Sequence, residues 1–254
     1  MGPGKKRRDF IRQAALGLGG IAITSELSAE RLSNGKLHVV CVGAHPGDPE
    51  FGCGGTMARY SDAGHAVTFI YLTRGEAYDA SISHKDAAAM RTREAEEACR
   101  LLNVKPVFAG QIDGSTVLDK ASSERMAQLI LSEGPDLLFT QWPVDSHPDH
   151  QVAGMLALNA WTMAKKKFPL YFYEVNTGDE TMVFTPTDHV DITAVREKKK
   201  AAMFAHKTQS PEKVYEGWFR TMEEFRGLEA GVKAAEAFIR VGPGSSARLL
   251  FPGA

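Results

Sequence analysis

LHVVCVGA (Leu37–Ala44) runs directly into HPGDPE (His45–Glu50), and this junction between an apolar run and a polar one decides the fold. The first part is nearly continuous in apolar, largely β-branched residues, as a strand needs when both of its faces are covered. Working outward, Ala66–Thr73, Pro106–Ala109, Asp136–Trp142 and Leu170–Val175 read as further strands. Between them, Gly52–Gly64, Asp86–Leu102, Ser122–Ser132 and His150–Lys165 read as helices, and Gly75–Ser83 as a loop. Val195–His206 and Phe225–Phe238 are predicted as later helices. Strands alternating with helices build right-handed βαβ units, so the expected fold is a single α/β domain, a three-layer sandwich around a mostly parallel sheet. In such sheets ligands collect beyond the C-terminal ends of the strands. Four strand ends carry polar clusters: His45–Glu50, Thr73–Glu76, Asp113 and Asp145–His150.

Composition narrows the classes. The chain has 254 residues, 43% hydrophobic and 24% charged, with a formal net charge of -1, and no basic stripe invites nucleic acid. Cys41, Cys53 and Cys99 are too few for a disulfide framework and read as small buried fillers. Lys5-Lys6-Arg7-Arg8-Asp9-Phe10-Ile11-Arg12 precedes a Gly- and Ala-rich apolar run from Ala14 to Thr24. A charged segment followed by a short apolar one reads as an export signal of the twin-arginine type. The run is too short for a stable membrane span. The plainer reading is a basic tail on a protein that stays in the cytosol. The expected division is residues 1–35 as signal and linker and 36–254 as the folded domain, exported to the periplasm or beyond.

The chemistry is concentrated in two segments, His45-Pro46-Gly47-Asp48 and His147-Pro148-Asp149-His150. Zinc favours imidazole nitrogen and carboxylate oxygen, and a catalytic site keeps three protein ligands with a position left for water. His45, Asp48 and His150 form such a set. Two histidines and a carboxylate also suit ferrous iron, and histidines near strand ends often serve only as hydrogen-bonded structural residues.

The run from Gly43 to Thr56, with His147-Pro148-Asp149-His150, Arg91-Thr92-Arg93-Glu94-Ala95, the stretch from Lys199 to Gln209, and Ala235-Glu236-Ala237-Phe238, resembles the PIG-L/LmbE-like deacetylase family. The resemblance implies a Rossmann-like fold and zinc-dependent removal of an acyl group, usually acetyl, from an N-acetylated amino sugar or glycoconjugate. It assigns the zinc to His45, Asp48 and His150, and it leaves homo-oligomerisation open. The family's general base is the first aspartate of a Pro-Asp-Asp triplet, where this chain has Gly47. The expected substitutes are Asp145, with Glu50 and Asp149 behind it, or His147 with Asp149 holding its charge. The alternative is a non-catalytic, metal-containing carbohydrate-binding relative. If the chemistry is merely muted, an aspartate placed at Gly47 is expected to raise activity. Arg91 is read as a substrate contact or a helix-face ion pair with Glu94 or Glu96, and Asp113 as a sugar-hydroxyl partner or a turn former. Trp142 is a candidate for stacking on a sugar ring, Trp161 and Trp218 are expected in the core, and Arg74 and Glu76 are rim candidates.

Overall fold

In the computed structural model, residues 35–241 are described, and the export segment expected over residues 1–35 falls almost wholly outside that range. Strand β1 (His38–Gly43) forms the middle of the sheet, flanked in parallel by β2 (Ala66–Tyr71) and β4 (Leu137–Gln141). Strand β3 (Lys105–Phe108) extends the sheet beyond β2, and β5 (Leu170–Tyr173) beyond β4, both parallel. Two antiparallel strands complete it, β7 (Ala235–Val241) beside β5 and β6 (Asp188–Asp191) at the edge. Among the described residues the order is β3-β2-β1-β4-β5-β7-β6 in one seven-stranded sheet.

Side-chain alternation divides the core into two layers. Val39 and Cys41 of β1 join Phe69, Phe139 and Tyr171 on one face, whereas Val40 and Val42 join Ile70, Leu138 and Phe172 on the other. Helices α1 (Asp48–Asp62) and α2 (His84–Leu102) cover the first face. Helices α3 (Lys120–Ser132) and α4 (Pro148–Met163) cover the second. The chain therefore changes face between β1 and β4. That crevice is where an open α/β sheet binds its ligand.

Several expectations change. Helix α1 starts at Asp48 rather than Gly52, and its glycines lie inside it because the helix packs hard against the sheet. A Cβ at Gly52 would lie 2.4 Å from the Tyr173 ring, and one at Gly55 would lie 2.7 Å from Ile192. The helix predicted over Phe225–Phe238 is instead α7 (Arg220–Ala230) followed by β7. Gly231, with φ of 72°, closes the helix in the left-handed conformation that glycine tolerates best. The edge strand β6, Asp-His-Val-Asp, was not predicted, since its polar residues carry little strand pattern. The helix expected over Val195–His206 is α5 (Arg196–Met203), preceded by a short 3-10 turn. After it come α6 (Pro211–Val214) and a π-helical turn, Tyr215–Phe219.

All three cysteines are buried and free, with Cys41 and Cys53 sulfurs 3.4 Å apart. Trp161 is buried, but Trp218 is 49% exposed on the π-helical turn, contrary to its expected place in the core.

Candidate metal centre

The loop after β1 and the first turn of α1 carry His45 and Asp48, and the first turn of α4 carries His150. Proline at the start of each helix fixes a backbone angle that the helix requires. One ligand atom from each of His45, Asp48 and His150 lies within 4.8 Å of the others. His45 Nδ1 is 3.3 Å and His150 Nε2 3.6 Å from the same Asp48 oxygen, Oδ2.

The far nitrogen of each imidazole faces carboxylate. His45 Nε2 lies 3.1 Å from both Asp113 Oδ1 and Asp149 Oδ2. His150 Nδ1 lies 3.2 Å from Asp145 Oδ1. Carboxylates behind metal-binding imidazoles fix ring orientation and make the ligating nitrogen more basic. These carboxylates are themselves held. Asp145 accepts hydrogen bonds from the His147 backbone N–H at 2.9 Å and the Thr181 hydroxyl at 3.0 Å. Asp149 accepts from the Thr116 hydroxyl at 2.6 Å and the Gly114 N–H at 2.8 Å, and Asp113 from the Ala77 N–H at 2.9 Å.

Electrostatics follow from this crowding. Burial alone would lower the His45 pKa, but Asp48, Asp113 and Asp149 outweigh it and hold that pKa well above 6.5. Burial likewise opposes protonation of His150, and Asp48 and Asp145 reverse the direction. Asp48 is pushed the other way: burial disfavours its charge, yet His150 and His45 keep it well below the usual carboxylate range. The cluster thus gathers four carboxylates, Asp48, Asp113, Asp145 and Asp149, around two imidazoles. A divalent cation held by the inward-facing atoms of His45, Asp48 and His150 would balance that charge, and the donor set fits one.

The triad opens into a cavity of about 410 Å³, which is in the range of small-molecule sites. His147 lines it, with its ring stacked on His150 at 4.6 Å between centroids. The Asp149 N–H donates to His147 Nδ1 at 3.2 Å, so this ring's own proton sits on Nε2. Burial and the neighbouring His150 and His45 lower its pKa, which favours that neutral form. Arg91 also lines the cavity, buried, donating to the Pro46 carbonyl at 2.6 Å; the ion pair with Glu94 or Glu96, the alternative to a substrate contact, is not formed. Glu94 instead receives the Thr208 N–H and hydroxyl.

Of the expected substitute bases, His147 lines the cavity but meets Asp149 through its backbone N–H rather than its carboxylate, and the three carboxylates are elsewhere engaged. Asp145 is 2% exposed and lies behind His150, outside the cavity lining. Asp149 lies behind His45 in the same way. Glu50 is fully buried, accepting from the Tyr71 hydroxyl at 2.7 Å and facing His206 Nε2 at 3.1 Å. Trp142 does not line the cavity; its indole N–H donates to the Met182 carbonyl and its ring packs on Phe172 and Phe184. Arg74 sits over the Phe108 ring, and Glu76 accepts from the Arg74 N–H, so neither forms the rim. Asp113 does line the cavity, yet it serves His45 rather than forming only a turn.

Sequence reading overlooked Tyr78, Asn176 and Glu180, which line the same cavity. The rule that sites gather at strand ends would have reached Asn176 and Glu180 had it been carried one strand further, to the segment after β5.

Known proteins resemble this chain in sequence and in fold. The family described as PIG-L, GlcNAc-PI de-N-acetylase, matches residues 40–161. The diacetylchitobiose deacetylase of Thermococcus kodakarensis is 30% identical over 229 residues, covering 83% of this chain and 85% of that protein. A probable N-acetyl-alpha-D-glucosaminyl L-malate deacetylase 2 of Bacillus subtilis is 27% identical over 200 residues, 74% of this chain and 88% of its own. The N,N'-diacetylchitobiose deacetylase of Pyrococcus horikoshii, solved with an inhibitor, superposes with a TM-score of 0.72 at 26% identity, covering 90% of this chain and 92% of that one.

Proposed function

The chain belongs to the PIG-L family of GlcNAc-PI de-N-acetylase relatives, and on that premise we propose that it is a zinc-dependent hydrolase. Its proposed reaction removes the acetyl group from an N-acetylated amino sugar or glycoconjugate. The observation that carries this reading is the convergence of His45, Asp48 and His150 on one cavity, each imidazole backed by carboxylate.

Zinc, when bound, polarises an acyl oxygen and acidifies water. The chain's own groups do the rest. Asp145, Asp113 and Asp149 hold the two imidazoles in their tautomers. The Nε2–H of His147 is a hydrogen-bond donor beside the triad, suited to the amide oxygen as negative charge grows on it. Arg91, tied to the Pro46 carbonyl, holds the loop that carries His45 and Asp48 and presents cationic charge to the cavity. Tyr78 and Asn176 offer polar groups to sugar hydroxyls. Export is part of the proposal, supported by Arg7-Arg8 followed by Phe10-Ile11 and a Gly- and Ala-rich run.

Gly47 favours a second reading, a carbohydrate-binding relative that keeps the metal without turnover, since glycine cannot move a proton. Amine release from N,N'-diacetylchitobiose and simple N-acetylglucosaminides separates the two. Turnover is expected with zinc, should vanish on chelation and should return on zinc addition. Full metal occupancy with no release across the panel would establish the binding reading instead.

A further inference from the structure

Hydrolysing an amide requires a group that takes a proton from water and returns one to nitrogen. Three carboxylates line the cavity: Asp48, Asp113 and Glu180. Asp48 faces both imidazoles and accepts the His45 N–H at 2.7 Å, and Asp113 is shared between His45 and the Ala77 N–H. Asp145, Asp149 and Glu50 are engaged and lie off the cavity. Among the described residues, the Glu180 side chain alone has no hydrogen-bond or ion-pair partner in this group.

Its backbone, by contrast, is firmly placed. The Glu180 N–H donates to the Asn176 carbonyl at 2.9 Å, and its own carbonyl accepts from the Ser146 N–H at 2.9 Å. The next residue, Thr181, bridges to Asp145, and the Met182 N–H donates to the Val144 carbonyl at 2.9 Å. The segment after β5 is thereby stitched to the loop after β4, which delivers His147 and His150. A carboxylate without a partner, on a fixed backbone, at the cavity that holds the triad, is placed to exchange protons with what binds there.

We propose that Glu180 is the catalytic proton-transfer residue of this site, an inference that rests on the hydrolase reading above. The water oxygen bonds to the acetyl carbonyl carbon while one of its protons passes to a Glu180 carboxylate oxygen. The carbon–nitrogen bond then breaks, and the departing nitrogen takes that proton from Glu180. The products are the free amine and acetic acid, which ionises in solution, and Glu180 returns to its starting state. Burial, then the negative charges of Asp48, Asp145 and Asp179, raise the Glu180 pKa above the usual value, with His150 opposing. A raised pKa lies nearer to a neutral operating pH, which suits a group that must both take and return a proton.

The test compares wild type with Glu180→Gln on N,N'-diacetylchitobiose at saturating zinc. The expected loss in kcat is about 10²–10⁴-fold. Zinc stoichiometry and melting temperature should match wild type. A second readout needs no turnover: calorimetry with a methylphosphonamide of glucosamine, whose tetrahedral phosphorus resembles the addition intermediate, in buffers of different ionisation heats. Wild type should take up about one proton on binding, as a protonated carboxyl meets the phosphoryl oxygen, and the glutamine variant none. A kcat within about threefold of wild type, or undiminished proton uptake, would overturn the role of Glu180 and leave the hydrolase reading standing. Loss of zinc by the variant would also overturn it, by making Glu180 a residue that holds the metal. Absence of turnover by fully loaded wild type would overturn the hydrolase reading and this role together.

Discussion

His45 and His150 each spend one ring nitrogen on Asp48 and the other on a carboxylate behind, so a small change in any partner moves a ligand. Gly47 sits within this loop at φ of 110°, a conformation that L side chains rarely adopt. A Cβ there would also lie 3.0 Å from the edge of the Phe51 ring, which packs against Phe219 at 4.9 Å between centroids. The glycine and the phenylalanine therefore form one solution: the ring occupies space that a side chain at position 47 would need. Gly47→Asp is accordingly expected to lower stability by about 1–3 kcal/mol, the usual cost of such backbone strain. It should bring no gain in deacetylation, contrary to what the sequence suggests. Urea unfolding with an activity assay checks both; a faster enzyme of unchanged stability would show that the loop accommodates the aspartate.

At the scale of elements, α1 must be held because Asp48 lies in its first turn. The hold is a buried ionic knot. Lys199 of α5 is fully buried, with Nζ 2.8 Å from Glu236 of β7 and 3.0 Å from Glu223 of α7. Glu236 also accepts the N–H groups of Gly55 and Thr56 in α1, at 2.8 and 2.7 Å. Lys199→Ala would leave the buried Glu236 without a cation and Glu223 with Arg196 alone, at 2.8 Å. The expected loss is about 3–5 kcal/mol by chemical denaturation, whereas a loss under about 1 kcal/mol would mean that water or Arg196 makes good the charge. The sequence announced these elements unevenly. β1, β2, β4 and β5 were legible because burial on both faces demands near-continuous apolar runs. β6 was not, being a polar edge, and β7 was taken for helix because Ala-Glu-Ala suits either state and its pairing with β5 is long-range. The residues that converge as a candidate metal triad were legible from two short motifs. Asp145 was visible as a residue but not in its place behind His150, which depends on a turn closed by Thr181. Glu180 escaped because the strand-end rule was not carried past β5, where a turn built on the Asn176 carbonyl brings it to the cavity.

For the whole molecule, the decisive feature is the reversal of strand order between β1 and β4. It brings His45 and Asp48 from one face-crossing unit against His150 from another, so an unfolded chain presents the ligands far apart and binds an ion weakly. An ion that binds the folded chain by preference must stabilise it, by about 2.7 kcal/mol at a free concentration one hundred times Kd. For a chain of this size that corresponds to a rise in melting temperature of roughly 5–10 °C. Thermal unfolding at graded free zinc, buffered by a chelator, should show this rise, and His150→Ala should abolish it. Asp145→Asn separates the two roles open to that residue. If it only orients His150, the variant should need about 10–100-fold more zinc for the same stabilisation, and at saturating zinc its turnover should come back close to that of wild type. A variant that binds zinc normally yet stays inactive would return Asp145 to the chemistry and displace Glu180 from it.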